Sequence, residues 1–381
     1  MRPLEGLRIL AIEQFGAGPY GTMLLADLGA EVIKIENAAA DGDPGRRVGP
    51  HLLGDDDSLY FQSWHLNKRS VLLDLKSDAG RADLERLVRT SCAVVNNLRG
   101  DLPAKLGIDY AGLAKVNPAI VCLHISAYGR DNERAARPGY DFLMQAEAGL
   151  MSLTGEPDGP PSRVGVSMID FMTGATGMTA LLACLMRARA TGKGCDVDTC
   201  LFDVALHQLG YVATWYLNEG RSSSRLPRSA HQALVPVQTF PTADGWVFVM
   251  CMTDRFWNVL LRGLGRTELA QDPRFSDQAA RLREREALSD ILDEEFRRQP
   301  SAHWLEKFSA VLPIGPVCDV AQALDNPFVQ RTGMIRGVPH PLKPDMKVLA
   351  SPIRIDGLRP EQKAGSALGA DNEALLGKAA P

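Results

Sequence analysis

Leu7-Arg8-Ile9-Leu10-Ala11-Ile12 and Glu31-Val32-Ile33-Lys34-Ile35-Glu36, separated by a helically spaced run from Gly16 to Leu28, decide the fold class of this 381-residue chain. The flanking pieces are short and β-type in pattern. A strand, a helix and a second strand in so short a span form a crossover unit, which points to a parallel sheet and the α/β class. Within the unit, Gly16-Ala17-Gly18-Pro19-Tyr20-Gly21 followed by Glu36 at a strand end matches the spacing of a dinucleotide fingerprint. A nicotinamide- or flavin-dependent oxidoreductase is therefore one reading. Pro19 removes an N–H that would cradle a pyrophosphate, and the same glycines serve equally for close packing of helix on strand.

Outward from this opening, further strands are expected at residues 71–75, 93–95, 119–125 and 196–199, with helical patterns between them. The expected fold is a Rossmann-like, doubly wound large domain, in which ligands bind outside the carboxyl ends of the strands. Asn97 and Arg99 follow one such end, and Ser126-Ala127-Tyr128-Gly129-Arg130 follows another. Lys68 and Arg69 enter their strand from the opposite end. Composition shifts at Arg221-Ser222-Ser223-Ser224-Arg225-Leu226-Pro227, a linker by content. The expected division is residues 1–220 as the large domain, 226–318 as a smaller α+β domain, and 319–381 as a tail returning to the first.

Hydrophobic residues make up 45% of the chain and charged ones 23%, a globular composition. With 42 basic and 46 acidic groups the formal charge is −4, so no global field recruits nucleic acid, and any anion is held by local cations. No run reads as a membrane span, and the opening residues lack a signal-peptide core. The seven cysteines form no Cys-x-x-Cys pair and the seven histidines no ligand spacing, so neither a disulfide framework nor a metal site is expected. Reduced thiols fit a cytoplasmic protein.

The stretch that carries chemistry is Arg163-Val164-Gly165-Val166-Ser167-Met168-Ile169-Asp170-Phe171-Met172-Thr173-Gly174-Ala175-Thr176-Gly177. A proline-rich loop precedes it and an apolar helix, expected from Met178, follows it, which sets Asp170 where a loop feeds a helix. One reading is an N-cap, worth about 1 kcal/mol. The other is a nucleophile, kept ionised at neutral pH by helix-end N–H groups, with Gly174 and Gly177 admitting a substrate.

Taken together, Ala17-Gly18-Pro19, Val32-Ile33-Lys34-Ile35-Glu36, Asn67-Lys68-Arg69-Ser70, Asn97 before Lys105-Leu106-Gly107, Gly139-Tyr140-Asp141, Asp170 with Thr173-Gly174, Thr191-Gly192-Lys193-Gly194 and Asp272-Pro273-Arg274-Phe275 resemble the class III (family III) CoA-transferases. That group includes formyl-CoA transferase and, as a racemase branch, α-methylacyl-CoA racemase. The resemblance runs nearly end to end. It implies Asp170 as nucleophile, with Tyr140, Asp141 and Gln14 as oxyanion-stabilising or orienting groups. It implies a CoA site made of Gly16, Ala17, Lys68, Arg69, Asn97, Leu98 and Lys105. It further implies an interlocked homodimer, coenzyme A as part of the substrate, and no permanently bound cofactor. Succinyl-CoA and a short dicarboxylic acid are the expected substrates, with Arg163, Arg228 and His231 as candidates to meet the second carboxylate. Two departures guide the choice within the group. Ser229-Ala230-His231-Gln232-Ala233-Leu234-Val235 stands where oxalate-using members carry consecutive glycines, which argues against oxalate. Tyr140 stands where the racemase branch has His, which favours transfer over racemisation.

Overall fold

The computed structural model describes residues 2–380 and divides into two compact units. The first comprises Met1–Ala148, Val164–Gly210 and Pro327–Pro381; the second comprises Gly149–Arg163 and Tyr211–Asn326. The loop before Arg163 thus groups with the second unit, and the tail joins the first from Pro327 rather than from residue 319.

The first unit is built on six parallel strands: β1 (Arg8–Ile12), β2 (Glu31–Asn37), β3 (Arg69–Leu73), β4 (Ala93–Asn96), β5 (Val121–Ser126) and β6 (Cys195–Cys200). Their order is β3-β2-β1-β4-β5-β6. The chain therefore reverses direction across the sheet between β1 and β4, and the crevice beyond their carboxyl ends is the place such sheets offer a ligand. The central strands are apolar on both faces, as burial between helical layers demands. Leu10, Ile33, Val71, Val94 and Cys122 join Leu84 and Leu87 of the helix Asp78–Val88 in one core.

The helices used below are α1 (Ala17–Asp27), α2 (Leu59–His65), α3 (Asp78–Val88), α4 (Asp141–Glu147), α5 (Met168–Thr191) and α6 (Leu201–His207). α5 starts ten residues before the expected Met178. The low-propensity run Thr173-Gly174-Ala175-Thr176-Gly177 is helical because its glycines let α5 lie against α1: a Cβ at Gly174 would collide with the Ala17 carbonyl, and one at Gly21 would come within 2.9 Å of the Gly174 carbonyl. α5 also corrects the expectation that no run reaches the length of a membrane span. It is long and apolar enough to do so, with a mean hydropathy of 1.4, yet Ile169, Thr173, Gly177, Leu181 and Leu185 are buried within this unit. After β6 the chain forms two helices, Leu201–His207 and Gly210–Glu219, with Gly210 at φ +53°.

The tail ties back to the sheet edge. Asn372 bonds the Leu72 backbone through both its amide nitrogen and its oxygen, and Asp371 accepts from Arg69 and from the Ser70 N–H. Within the tail, β10 (Ile335–Gly337) pairs antiparallel with β11 (Lys347–Leu349).

The second unit has its own core. The antiparallel strands β7 (Val237–Pro241), β8 (Trp246–Met250) and β9 (Ile314–Pro316) are covered by three helices, Asp254–Leu264, Arg285–Phe296 and Ser301–Phe308. Phe240, Val249, Trp257, Leu260, Leu292, Phe296 and Trp304 make up its centre.

Candidate active site

Beyond the carboxyl ends of β1, β4 and β5 lies one cavity, lined by the loop Gln14–Ala17, by Asn97, Leu98 and Arg99, by Ser126 and Ala127, by the run Arg137–Tyr140, by Leu201 and by Asp170. Of the residues expected from sequence to form the site, Asp170, Gln14, Gly16, Ala17, Asn97, Leu98 and Tyr140 meet here.

Asp170 is in the first turn of α5, whose N-cap is Ser167, so it is not the cap. Its carboxylate lies against Gly16, where a Cβ would collide with Oδ2. Gly16 is itself the N-cap of α1, so the carboxylate faces the start of a second helix. Behind it, Asp141 is buried at the start of α4. One Asp141 oxygen accepts the Asp170 N–H at 3.0 Å and the other accepts the Gln145 side-chain amide at 2.6 Å. Among the described residues no protein donor reaches the Asp170 carboxylate. Burial, reinforced by the neighbouring Asp141, therefore pushes its pKa up to about 7. The expectation that helix-end N–H groups keep Asp170 ionised at neutral pH is corrected in its cause: none reaches the carboxylate, and burial brings its proton loss up to about neutrality. A carboxylate that holds its proton this tightly is a stronger nucleophile once ionised than one stabilised by hydrogen bonds.

The loop opposite is held from both sides. Asn97 clasps Gln14, accepting its N–H at 2.9 Å and donating to its carbonyl at 2.7 Å. Gln14 itself lines the cavity. Phe15 has φ +59°, a strained conformation for a bulky residue, and its ring meets Tyr140 edge to face at 5.8 Å. Tyr140 is 61% exposed, presenting its phenol at the cavity mouth. Tyr60 also stands within electrostatic reach of Asp170: burial, then the charges of Asp170 and Asp43, raise its pKa to about 12, so it stays a donor at neutral pH.

The other expected site residues are elsewhere. Lys68 is buried, donating to Glu13 Oε1 at 2.7 Å and to the Pro19 carbonyl at 2.8 Å; burial lowers its pKa to about 8. It supports the start of α1 from beneath. Arg69, at the amino end of β3, pairs with Glu31 and Asp371. Lys105 is exposed, pairs with Asp101 at 2.7 Å, and does not line the cavity. In the second unit, Arg228 is spoken for by Glu286, Asp290 and Asp293. His231 is built into a turn, its Nδ1 accepting the N–H groups of Ala233 and Leu234, and burial lowers its pKa. Arg163 belongs to that unit as well and is not among the cavity residues. Sequence reading missed Arg137, the cation two residues before Gly139-Tyr140-Asp141; that spacing was the available signal.

An α/β protein with a switch-point cavity, basic groups on its rim and a buried carboxyl on its wall is the class that fold and site define. The model of CoA-transferase family III matches residues 4–372, and the chain belongs to that family of enzymes. It is 35% identical over 335 residues to an acetyl-CoA:oxalate CoA-transferase of Acetobacter aceti, which spans 87% of this chain and 85% of that protein. It is 34% identical over 338 residues to a succinate–glutarate CoA-transferase of Agrobacterium fabrum, spanning 87% of this chain and 84% of the relative. Among solved structures, a CAIB/BAIF family protein from Brucella suis superposes with a TM-score of 0.84 at 33% identity, covering 98% of both chains.

Proposed function

We propose that the protein moves CoA from an acyl-CoA donor to a free carboxylic acid through covalent intermediates on Asp170. The Asp170 carboxylate attacks the thioester carbonyl, and CoA leaves as thiolate, giving a mixed anhydride. The thiolate then attacks the Asp170 carbonyl, releasing the donor acid and leaving an aspartyl-CoA thioester. The acceptor carboxylate repeats the exchange and departs as the new CoA ester, restoring Asp170. Each step trades one activated acyl group for another of similar energy. The oxyanions would be met by the Gln14 amide, the Tyr140 phenol and the N–H groups at the start of α1.

The observation that carries this reading is the placement of Asp170 against Gly16 at the switch-point cavity, with a proton affinity close to neutrality. Arg99 and Arg137 on the cavity rim are the cations suited to the phosphates of CoA, in place of Lys68, Arg69 and Lys105. Short dicarboxylic acids with succinyl-CoA as donor remain the favoured substrates, in keeping with the succinate–glutarate and succinyl-CoA:mesaconate relatives. The second carboxylate is no longer assigned to Arg228 or His231. A cytoplasmic homodimer is the working form: α5 and α6 leave Met186 and Leu206 exposed, apolar surface that a second subunit would cover.

Incubation with succinyl-CoA followed by hydroxylamine should convert Asp170, and no other acidic residue, to a hydroxamate detectable by peptide mass spectrometry. Turnover without any modification at Asp170 would overturn the covalent route.

A further inference from the structure

Behind the cavity wall lies a buried set of charges that the chemistry does not touch. Lys34, at 1% exposure on β2, donates through Nζ to the Glu13 carbonyl at 2.7 Å and to Asp43 Oδ2 at 2.8 Å. Asp43, at 3% exposure, accepts the Gly45 N–H at 2.8 Å and the Phe15 N–H at 3.4 Å on its other oxygen. The two side chains thus hold the backbone on either side of Gln14, while Asn97 holds Gln14 itself. The segment they grip includes Phe15 at φ +59°, a conformation that a phenylalanine keeps only where its surroundings over-determine it. The next residue is Gly16, the one in contact with the Asp170 carboxylate. Neither Lys34 nor Asp43 lines the cavity.

We propose that Lys34 and Asp43 are positioning residues for CoA transfer, holding the loop Glu13 to Gly16 in the one strained form that sets the start of α1 against Asp170. The proposal rests on Asp170 being the nucleophile. Ion pairing alone does not require this arrangement. An Asp–Lys pair buried for stability has no need to spend its remaining hydrogen bonds on the backbone of an active-site loop, and replacing such a pair with apolar side chains is often neutral for folding. The loop, by contrast, has no other bonds to Glu13 O or Phe15 N–H among the described residues.

The test is the double variant Lys34→Met with Asp43→Leu in the full-length enzyme. It removes both charges together and strands neither. Melting temperature should fall only moderately, because no charge is left buried alone although the Glu13 carbonyl and the Phe15 and Gly45 N–H groups lose their partners. kcat, and the single-turnover rate of Asp170 acylation by succinyl-CoA, should fall by about 10–100-fold, the size of effect that a misplacement near 1 Å produces. KM for the CoA ester should stay within about twofold, because the rim cations are untouched. A purely structural role predicts a lowered melting temperature with wild-type kcat and acylation rate in the folded fraction, and that result would overturn the proposal. Should the double variant fail to fold, Lys34→Gln with Asp43→Asn, which keeps a donor for the Glu13 carbonyl and an acceptor for Phe15 and Gly45 and leaves no buried charge unpaired, is read against the same criteria with a smaller expected loss. Asp170→Ala separates the two levels of the argument. If it still transfers CoA, the underlying reading of the nucleophile fails; if it is inactive while the double variant keeps wild-type kcat, only the positioning role fails.

Discussion

Asp141 holds the backbone of Asp170 with one carboxylate oxygen and, by standing behind it as a second negative charge, opposes the ionisation of its side chain. Support and tuning come from one residue. In the proposed mechanism Asp170 acts only as a carboxylate, so kcat/KM, which reports the substrate-free enzyme, should rise with pH through about 7. Asp141→Asn removes the opposing charge but leaves the burial that is the larger cause. The rising limb should therefore move to lower pH without returning to the ordinary carboxylate range. A pH–rate profile of Asp141→Asn that coincides with wild type, in protein shown to be folded, would remove Asp141 from the tuning role.

The same raised pKa has a consequence for stability. An acid whose folded pKa lies above its unfolded value contributes nothing adverse below about pH 4, where both states are protonated. From there upward the unfolded chain ionises more readily, so the stability present in acid is lost progressively until pH passes about 7. Asp170→Asn abolishes this loss. The variant should be inactive in CoA transfer yet more stable than wild type at pH 8, by on the order of 1–4 kcal/mol, with the gain shrinking toward pH 4. Urea unfolding at several pH values reads this directly.

Gly16→Ala tests the contact between the start of α1 and the Asp170 carboxylate. A Cβ there meets Asp170 Oδ2, a short side chain with little room to yield, whereas the backbone at Gly16, with φ −104°, accepts alanine. The fold should survive, with a loss of stability of about 1–3 kcal/mol, while acylation falls by about 100-fold. Near-normal turnover would mean that Asp170 works in a rotamer pointing away from α1.

The strands, the glycines and Asp170 were legible because each depends on local pattern: apolar runs of strand length, close-approach glycines, an acid beside a helix. The use of the glycines was not. Gly16, Gly18 and Gly21 have the spacing of a dinucleotide fingerprint, yet they serve contacts with Asp170, with Glu13 and Asn97, and with Gly174. Apart from Glu13, those partners are far away in sequence, so no local window contains the answer. The cations failed for the same reason. Lys68 finds its carboxylate 55 residues earlier and Arg228 finds its three acids 58 to 65 residues later, and a charge in a sequence does not say which way its side chain turns. The proton affinity of Asp170 likewise depends on burial and on an acid 29 residues upstream.

The contrast between Lys68 and Arg137 gives the sharpest test of how CoA is held. Lys68 lies on the hidden side of α1, where Lys68→Met would leave Glu13 buried without its counter-charge, keeping only the Thr22 hydroxyl at 2.8 Å. Breaking one partner out of a buried pair costs about 3–5 kcal/mol, so the expected phenotype is lost stability, with an unchanged KM for the CoA ester in whatever remains folded. Arg137 is exposed at the cavity rim. Arg137→Ala should leave the melting temperature within about 1 °C of wild type, since surface changes of this kind stay within ±0.5 kcal/mol. It should raise KM for acyl-CoA by about tenfold at low salt, with a smaller effect at high salt as screening weakens the phosphate contact in the wild type. Kinetics with succinyl-CoA and with a truncated succinyl-pantetheine thioester distinguish the outcomes. If Arg137 meets a phosphate, its loss is felt only by the full CoA ester; equal loss with both donors would assign Arg137 to the acyl group instead.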